Sequence, residues 1–404
     1  MKIAIWWEQT SWGGVDTHLI NLLSNWPNKS DSFYIYSNKE NEGLDRTEKI
    51  LLTMGNVSCI RFNRTLVFKN RIFKVAAYLL LPIRFLFYII HNYFLLNINS
   101  HFDVVIVNQG GYPGSWGGLA CLFASKLSRV RRVILLVHHC AVGRKPLRHT
   151  FETVLDLGVQ IYSTDIIAVS RATRKTLIDR RDFDVERYPI RVIHNGVNIP
   201  SQMDSDGRNR SNWLKNELKI PLENSFLLGI VGRVERYKGH EDLIVGLSML
   251  SMSDREKVFV VVVGASCAVE VERLKDLAHA LGVENNLRIL GYFNEPIERL
   301  LVELDMLVML TKDFEGFGFT IAESMALGTP VIATNVGAVN EFFNNSVGFM
   351  IESESPIMIA RSIITAIHNP DELNKKIQAA RIQIQQFDAI TMAKNFHRIL
   401  LVGA

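Results

Sequence analysis

The sequence is poor in cysteine and has no long uninterrupted apolar run, and both features narrow what the chain can be. Its 404 residues include four cysteines that are scattered along the chain without a CxxC pair. We therefore expect neither a disulfide scaffold nor a cysteine zinc site, and we expect a reducing cytoplasm. No apolar run reaches the ~18 residues that a membrane span needs. The first residues, MKIAIWWEQT, lack the apolar segment and cleavage site that mark a signal peptide.

Two glycine motifs of nucleotide-binding enzymes are missing as well. Neither GxGxxG nor GxxxxGKS/T occurs in the chain, which disfavours a dinucleotide dehydrogenase and a P-loop NTPase. Two Asp-x-Asp pairs, at 182–184 and 204–206, follow no apolar run of the kind that forms a buried strand. We interpret both pairs as solvated acids and predict no metal site.

Positive charge is concentrated in one part of the chain. The whole sequence has 45 Lys and Arg against 41 Asp and Glu, but the stretch 49–149 has fourteen Lys and Arg and a single acid, Asp103. Within it, residues 69–96 are rich in leucine and aromatic side chains. Basic residues beside an amphipathic, aromatic helix suit the surface of an anionic membrane. The alternative is a pair of core helices whose cationic side chains face water.

Short apolar runs alternate with helical patterns along most of the chain. Most of the runs are rich in Val and Ile and apolar on both faces, which is typical of buried parallel strands. The predicted strands are Lys2–Trp7, Ser32–Ser37, Val104–Asn108, Arg132–Val137, Ile166–Val169, Arg191–Ile193, Phe226–Val231, Val258–Val263, Leu287–Leu290, Met306–Met309 and Val331–Ala333. A polar stretch at 200–224 separates two such series, so the pattern predicts an α/β protein with two Rossmann-like domains in tandem. Because ligands of open parallel sheets bind at the carboxyl ends of the strands, we expect a cleft there between two domains that face each other.

Two clusters follow predicted strands of the first domain. Gly13 and Gly14 come after the first strand and before a helix, where paired glycines let the backbone approach a ligand. His138 and His139 come directly after a buried strand, where an imidazole can donate a hydrogen bond or carry a proton. The alternative interpretations are an ordinary tight turn and a structural histidine.

A loop with two separated cations follows the first predicted strand of the second domain. After Gly232, Arg233 and Lys238 stand five residues apart. That spacing suits the two sides of a diphosphate, since arginine offers a fork of donors and lysine a point charge. A solvated loop would have the same composition.

Two carboxylates flank a glycine-rich segment at 313–324. Glu315 and Glu323 are separated by seven residues, and Gly318 frees the backbone between them. Thr320 is placed to cap a helix that would carry Glu323 about one turn inside it. Such a pair of carboxylates can bind polyol hydroxyls, but the two residues can also be a turn residue and a solvated helix acid.

Four motifs, in order along the chain, resemble those of the retaining glycosyltransferases of family 4. They are SWGGVDTHLINLL near the start, VIHNGVN at 192–198, GIVGRVERYKGHEDLI at 229–244 and EGFGFTIAESMALGTPVIATNVGAVNEFF at 315–343. The last contains the family's glutamate–seven residues–glutamate signature. The resemblance implies the two-domain GT-B fold, with a final helix that returns to the first domain. It gives an N-terminal acceptor domain at 1–205 together with 386–404, and a nucleotide-sugar domain at 206–385.

The resemblance also implies roles for particular residues. Arg233 and Lys238 are expected to hold the diphosphate and stabilise the charge of the leaving nucleotide, and Glu323 to bind the ribose hydroxyls. Glu315 and His138 are expected to bind the donor sugar, with His139 as the alternative to His138. The other donor-binding positions that the motifs imply are Gly13, Gly14, Gly232, Phe317, Gly318, Phe319 and Thr320.

The implied activity is the transfer of a sugar, with retention at the anomeric carbon, from a nucleoside-diphosphate sugar to a glycan or lipid-linked acceptor. Such an enzyme would serve cell-surface polysaccharide synthesis. We expect no cofactor, no essential metal and no nucleic-acid partner. We expect it in the cytoplasm, at the inner face of the plasma membrane if residues 49–149 bind an anionic surface. Two alternatives stay open: a nucleotide-sugar epimerase of the same fold and a non-catalytic sugar-nucleotide-binding subunit.

Overall fold

The computed structural model describes residues 1–10, 12–63, 80–99, 101–200 and 210–401. The chain divides into two compact α/β units: unit 1 is Met1–Gly196 with Ala389–Ala404, and unit 2 is Val197–Asp388. The boundary predicted between residues 205 and 206 lies outside the described residues. The chain leaves unit 1 after Gly196 and returns to it at Ala389.

Unit 1 is built on a sheet of seven parallel strands. They are β1 (Lys2–Trp7), β2 (Ser32–Asn38), β3 (Val57–Phe62), β4 (Val104–Gln109), β5 (Arg132–Val137), β6 (Asp165–Ala168) and β7 (Ile190–Val192). Their order is β3-β2-β1-β4-β5-β6-β7, so the direction of strand addition reverses between β1 and β4. All of β4 and most of β1 are buried, because helices cover both faces of a parallel sheet.

The helices of unit 1 connect these strands. They are α1 (Gly14–Ser24), α2 (Leu44–Leu52), α3 (Leu81–Asn99), α4 (Trp116–Leu127), α5 (His149–Tyr162) and α6 (Arg171–Arg181). Helices α3, α4 and α5 pack together, since the ring of Phe85 in α3 lies 5.5 Å from Phe123 in α4 and 5.9 Å from Phe151 in α5.

Helix α3 is apolar on both of its faces. Leu81, Phe85 and Leu96 are buried in unit 1, while Phe87 and Phe94 on the opposite side are exposed. Among the described residues, α3 is the one helix long and apolar enough to cross a membrane, by a test that core helices of soluble proteins also pass. Residues 69–79, the first part of the segment predicted as membrane-binding or core, lie outside the described residues.

Unit 2 is built on six parallel strands. They are β8 (Phe226–Val231), β9 (Val258–Val263), β10 (Leu287–Gly291), β11 (Met306–Met309), β12 (Val331–Thr334) and β13 (Phe349–Ile351). Their order is β10-β9-β8-β11-β12-β13, with the reversal between β8 and β11. The helices of this unit are α7 (Trp213–Glu217), α8 (His240–Ser248), α9 (Met252–Arg255), α10 (Ala268–Ala280), α11 (Ile297–Leu301), α12 (Phe319–Leu327), α13 (Pro356–His368) and α14 (Pro370–Ile384).

The last helix, α15 (Ala389–Leu401), belongs to unit 1. Its residues Met392, Phe396 and Leu400 are buried in the same cluster as Leu19 and Leu22 of α1. The helix therefore supplies part of the apolar cover on the α1 side of the first sheet.

The predicted fold class is confirmed. Both units are parallel sheets flanked by helices, and all eleven predicted strands are present, with bounds within one residue of those predicted. Two further strands, β3 and β13, were not predicted.

Candidate active site

The loops after β8 and β11 lie beside each other in unit 2. These two strands are hydrogen-bonded neighbours, and the connections that follow them leave in opposite directions along the sheet. Open parallel sheets bind ligands outside the carboxyl ends of their strands at such a reversal. The segments that carry Arg233, Lys238 and Glu315 all start from this edge.

Glycines shape the loop after β8. Gly232 has φ +151° and Gly264, after the neighbouring strand β9, has φ +149°, a region that side chains rarely adopt. A Cβ at Gly264 would overlap the carbonyl oxygen of Gly232, so the two loops touch through their backbones. A short 3-10 turn, Arg236–Lys238, then leads through Gly239 (φ +74°) into α8.

Lys238 and Glu315 form the charged pair at this edge. The Lys238 Nζ lies 3.1 Å from the Glu315 Oε2 and donates to the Thr311 Oγ1 at 3.1 Å. Both charged side chains keep about a fifth of their surface exposed, 23% and 19%. The ammonium is thus held in place while it still faces solvent, where it can meet an anion.

Arg233 lies beside Lys238 but bonds to different partners. Its guanidinium pairs with Glu235 at 2.9 Å and donates to the Tyr237 hydroxyl at 3.2 Å. The Lys238 Nζ sits over the ring of the same tyrosine, 5.1 Å from its centroid. Burial and the hydrogen bond with Glu235 raise the pKa of Tyr237 to about 12, so the phenol stays neutral. Tyr237, which the sequence analysis did not single out, contacts both predicted cations.

Helix α12 starts two residues earlier than predicted. Gly318, with φ +95°, is its N-cap, and Phe319 is its first residue, so Thr320 stands inside the helix rather than capping it. Glycine takes the cap because only it adopts that backbone conformation without strain. The first N–H groups of a helix have no acceptor within it, so this helix start is able to receive an anion.

Gly337 holds the backbone of Glu315 in place from the next loop. It has φ +57°, and a Cβ there would overlap the backbone oxygen and nitrogen of Glu315. The following N–H, of Ala338, donates to the Glu315 carbonyl oxygen at 2.8 Å. The loop after β12 therefore fixes the position of Glu315, a contact that no spacing in the sequence indicates.

Glu323 is a buried acid of α12 and not the solvated helix acid of the alternative interpretation. It is 9% exposed and accepts no hydrogen bond from the described residues. Burial, with a smaller effect from Glu298, raises its pKa to about 8. A carboxyl group without protein partners is available to the hydroxyls of a ligand.

The two phenylalanines of the glycine segment occupy different places. Phe317 is 3% exposed and its ring stacks on that of Phe342 at 5.0 Å, so only its backbone is open to a ligand. The ring of Phe319 is half-buried and meets Phe317 edge-on at 5.2 Å.

In unit 1 the glycine loop after β1 is held by Asp16. The Gly13 N–H donates to the Asp16 carboxylate at 2.7 Å, and the Gln9 amide donates to the same oxygen. Burial raises the pKa of Asp16 to about 7. Gly14 is the first residue of α1, and a Cβ on Gly13 would meet nothing within 4 Å. The loop thus leaves open space beside Gly13, and Asp16 is a residue that the sequence analysis missed.

His138 stands at the end of β5 inside a buried polar cluster. Its Nε2 lies 2.7 Å from the Asn108 Oδ1, and its ring centroid lies 4.5 Å from that of His18. The His18 Nδ1 in turn lies 2.7 Å from the Asn195 Oδ1. Burial lowers the pKa of His138 well below its usual value and that of His18 to about 4, so both rings are neutral at pH 7. His139, the alternative, is half-buried beside Cys140.

The first Asp-x-Asp pair belongs to unit 1. Asp182 follows α6 and forms an ion pair with Arg144 at 2.6 Å, while the pair at 204–206 lies outside the described residues. Across the described ranges, no three His, Cys, Asp or Glu side chains are grouped so that they could hold a metal ion.

Two family models match the chain, one on each unit. The model described as "Glycosyl transferases group 1" matches residues 214–383, and the model described as "Glycosyltransferase Family 4" matches residues 12–200. Together they cover most of the sequence, in the order that the motifs predict.

Curated relatives and solved structures agree with these matches. A D-inositol 3-phosphate glycosyltransferase of Salinispora tropica is 30% identical over 280 residues, which are 65% of this chain and 56% of that protein. The O-antigen biosynthesis glycosyltransferase WclY of Escherichia coli is 25% identical over 52% of this chain and 54% of its own. The chain thus spans little more than half the length of these relatives. The crystal structure of HepE from Anabaena with UDP and glucose has a TM-score of 0.75 at 20% identity, over 99% of both chains.

Proposed function

The chain belongs to the group 1 glycosyl transferases of family 4, and from this premise we propose that it is a retaining glycosyltransferase. It moves a sugar from a nucleoside-diphosphate sugar to a glycan or lipid-linked acceptor, in the synthesis of a cell-surface polysaccharide. The observation that carries the proposal is the Lys238–Glu315 pair at the reversal of the second sheet. The carboxyl of Glu323, which lies one turn inside α12 and has no hydrogen-bond partner among the described residues, adds to it.

Charge separation in the reaction explains why a cation stands there. When the bond between the sugar and the diphosphate breaks, negative charge grows on the diphosphate oxygen and positive charge on the sugar ring. A fixed cation lowers the barrier because it interacts more strongly with this state than with the bound donor. Lys238 supplies that charge, and its contacts with Thr311 and Glu315 at 3.1 Å hold it before the donor arrives. Arg233 adds a second cation on the same loop.

The acids serve the hydroxyl groups of the donor. Glu323 accepts hydrogen bonds from the ribose hydroxyls. Glu315, together with the backbone from Phe317 to Phe319, binds the hydroxyls of the sugar. Neutral His138 hydrogen-bonds the sugar without adding charge near the cationic ring. Relatives named for inositol phosphate and for O-antigen synthesis support a polyol or glycan acceptor.

We infer that the donor needs no divalent metal, since Arg233 and Lys238 can neutralise the diphosphate. Dialysis against EDTA should leave turnover unchanged. Loss of turnover that Mg²⁺ or Mn²⁺ restores would contradict this inference.

We also propose that the enzyme acts in the cytoplasm, where nucleotide sugars are made, and that its acceptor lies at the membrane. All four cysteines belong to the described residues and are free thiols, as is usual in a reducing compartment.

Donor identity and activity can be tested together. Thermal shift with UDP-, GDP- and ADP-sugars should find one nucleotide that raises the unfolding temperature, because a ligand that binds only the folded state stabilises it by mass action. That donor, incubated alone and with candidate acceptors, separates transfer from epimerisation and from simple binding by its products. A nucleotide that binds without any release of sugar under all conditions would overturn the enzymatic proposal.

A further inference from the structure

The outer layer on one side of unit 1 consists of α3 and α5. Helix α4 lies beneath them, and most of its residues from Gly118 to Ser125 are buried. The Asn92 side chain of α3 donates to the Gly117 carbonyl of α4 at 2.8 Å, and the rings of Phe85 and Phe151 join α3 to α5 directly. The two outer helices are thus fixed to the same layer of the unit.

Both outer helices turn apolar side chains away from the protein. On each helix the exposed apolar residues are spaced three and four positions apart, which puts them on one face of that helix. These residues, which we call the α3–α5 surface, are Phe87, Ile90 and Phe94 of α3, exposed by 56%, 45% and 58%, and Val154, Leu157 and Ile161 of α5, exposed by 66%, 50% and 50%. Single exposed apolar residues are ordinary, but two rows on neighbouring helices mark an interaction site.

We propose that the α3–α5 surface docks on a lipid bilayer that contains anionic lipids. A helix that is apolar all round is normally covered on every side, and the described residues of unit 1 cover only the inner side of α3. The charge around the surface then points to what covers the outer side. From residue 80 to 151 the only acid is Asp103, whose carboxylate accepts a hydrogen bond from the Lys2 N–H.

Basic residues border the surface at both ends of its helices. Lys126 and Arg129 are exposed, and the hydrogen bond from the Asn97 side chain to Ser128 brings the end of α3 next to them. Lys145 is exposed just before α5. The two acids of α5, Glu152 and Asp156, are buried with Arg181. The exposed Asp182 and Asp184 line a pocket with Leu157, but Arg144 and Arg187 line the same pocket, and Arg144 pairs with Asp182. An apolar face with a basic border complements anionic headgroups over acyl chains.

The same contacts argue against two other arrangements. Helix α3 would have to give up the buried packing of Phe85 and Leu96 to cross the bilayer, so it lies on the surface. A two-fold dimer through this face would bring Lys126 and Arg129 at one end of the surface towards the other end of the second copy, which carries Lys145, since residue i meets residue j across such an interface. The proposal deepens the proposed function in one respect: it puts the enzyme where a lipid-linked acceptor is found.

Flotation of the full-length protein with vesicles tests the apolar part. Wild type should float with phosphatidylcholine vesicles that contain phosphatidylglycerol and should float poorly with phosphatidylcholine alone. Phe87→Gln together with Phe94→Gln should weaken partitioning about a hundredfold, because each large apolar side chain returned to water is worth roughly tenfold. The matched control, Val269→Gln together with Ile382→Gln, changes two side chains of unit 2 that are each 74% exposed and should not alter partitioning.

A second double variant tests the contribution of the basic residues that border the α3–α5 surface. Lys126→Gln together with Arg129→Gln should weaken binding to anionic vesicles and reduce its salt dependence, with little change on neutral vesicles. Equal binding of wild type to both vesicles would overturn the electrostatic part of the proposal. Equal flotation of wild type and the Phe87/Phe94 variant would overturn the assignment to this surface.

Two further readouts separate the remaining outcomes. Sedimentation without vesicles reports dimers, and a dimer that Phe87→Gln dissociates, with no flotation of wild type, would mean that a second copy covers the face. Hydrolysis of the nucleotide-sugar donor is measured in the same samples. Donor turnover without flotation overturns only the docking surface, whereas flotation without donor turnover leaves that surface standing and contradicts the proposed function.

Discussion

At the scale of single residues, Lys238 is the side chain on which catalysis should depend most. Lys238→Ala removes the cation that faces the leaving diphosphate and should slow turnover by about 3–4 kcal/mol in the barrier, as loss of a donor to a developing oxyanion does. Steady-state release of the nucleotide measures kcat, and thermal unfolding shows that the variant folds. Arg236→Ala is the matched control, since this arginine stands in the same turn, is 74% exposed and pairs with Glu270 at 3.5 Å. A similar loss of turnover in both variants would contradict the role of Lys238.

The buried carboxyl of Glu323 should make folding stability depend on pH. Its pKa is about 8 in the folded protein and near 4.5 in the unfolded chain, so the folded state holds more protons between these values. Stability therefore falls as pH rises through this window and is level above it. Glu323→Gln keeps the shape and cannot ionise, so it should remove that fall, which is on the order of 5 kcal/mol.

Urea unfolding of wild type and Glu323→Gln at both ends of this window measures the effect. Asp16, whose pKa is about 7, adds to the slope in both proteins, so their difference isolates Glu323. Parallel curves for the two proteins would mean that Glu323 is ionised in the fold.

Strand-end positions in the sequence indicate which charged residues come together, but not which residues support them. Lys238 and Glu315 come together as their positions after neighbouring strands imply, because the carboxyl ends of parallel strands share one edge. Tyr237 and Asp16 were missed, since what matters in them is a contact with Arg233 or with the Gly13 N–H, and neither contact has a signature in spacing.

At the scale of elements, the loop after β12 should affect activity through Gly337, which positions Glu315. Gly337→Ala adds a Cβ that would overlap the backbone of Glu315, at a residue with φ +57°. Since backbone cannot swing away as a side chain can, Glu315 must shift, and kcat/KM of the donor should fall by about tenfold or more, as displacement of a positioning group does.

Gly282→Ala is the control for the conformational cost alone. Gly282 has φ +66° in the same unit, and a Cβ there would meet nothing within 4 Å. Both variants should lose about 1–2 kcal/mol of stability from the left-handed backbone. Only Gly337→Ala should lose activity, and equal kcat/KM in the two variants would show that the loop does not position Glu315.

The two strands that sequence patterns missed both lie at the edge of a sheet. Strand β3 has only its first and last residues, Val57 and Phe62, buried, because it forms the edge of its sheet. Strand β13 is three residues long and is also an edge strand. The start of α12 was misplaced by two residues at its cap for a different reason: Thr320 satisfies the side-chain rule for caps, whereas Gly318 satisfies the backbone conformation that the turn imposes.

At the scale of the whole molecule, the order of the chain and the order of the fold differ. Unit 1 takes its last helix from residues that follow all of unit 2. Apolar periodicity in 387–401 predicts an amphipathic helix, but which unit that helix joins came from the family resemblance, since no local pattern states where a helix packs. The apolar cover of unit 1 is therefore complete only when the entire chain is present.

Phe396 lets this dependence be measured. It is 1% exposed and lies edge-on to His18 of α1 at 5.6 Å, so Phe396→Ala should leave a cavity and destabilise unit 1 by about 3–5 kcal/mol. Ile390→Ala on the same helix, at a side chain 47% exposed, should cost far less. Tryptophan fluorescence follows unit 1 during urea unfolding, because Trp6, Trp7 and Trp26 are buried there. Nucleotide binding by the residues of unit 2 should survive both substitutions under native conditions. Equal unfolding midpoints for the two variants would mean that α15 does not pack into unit 1 in solution.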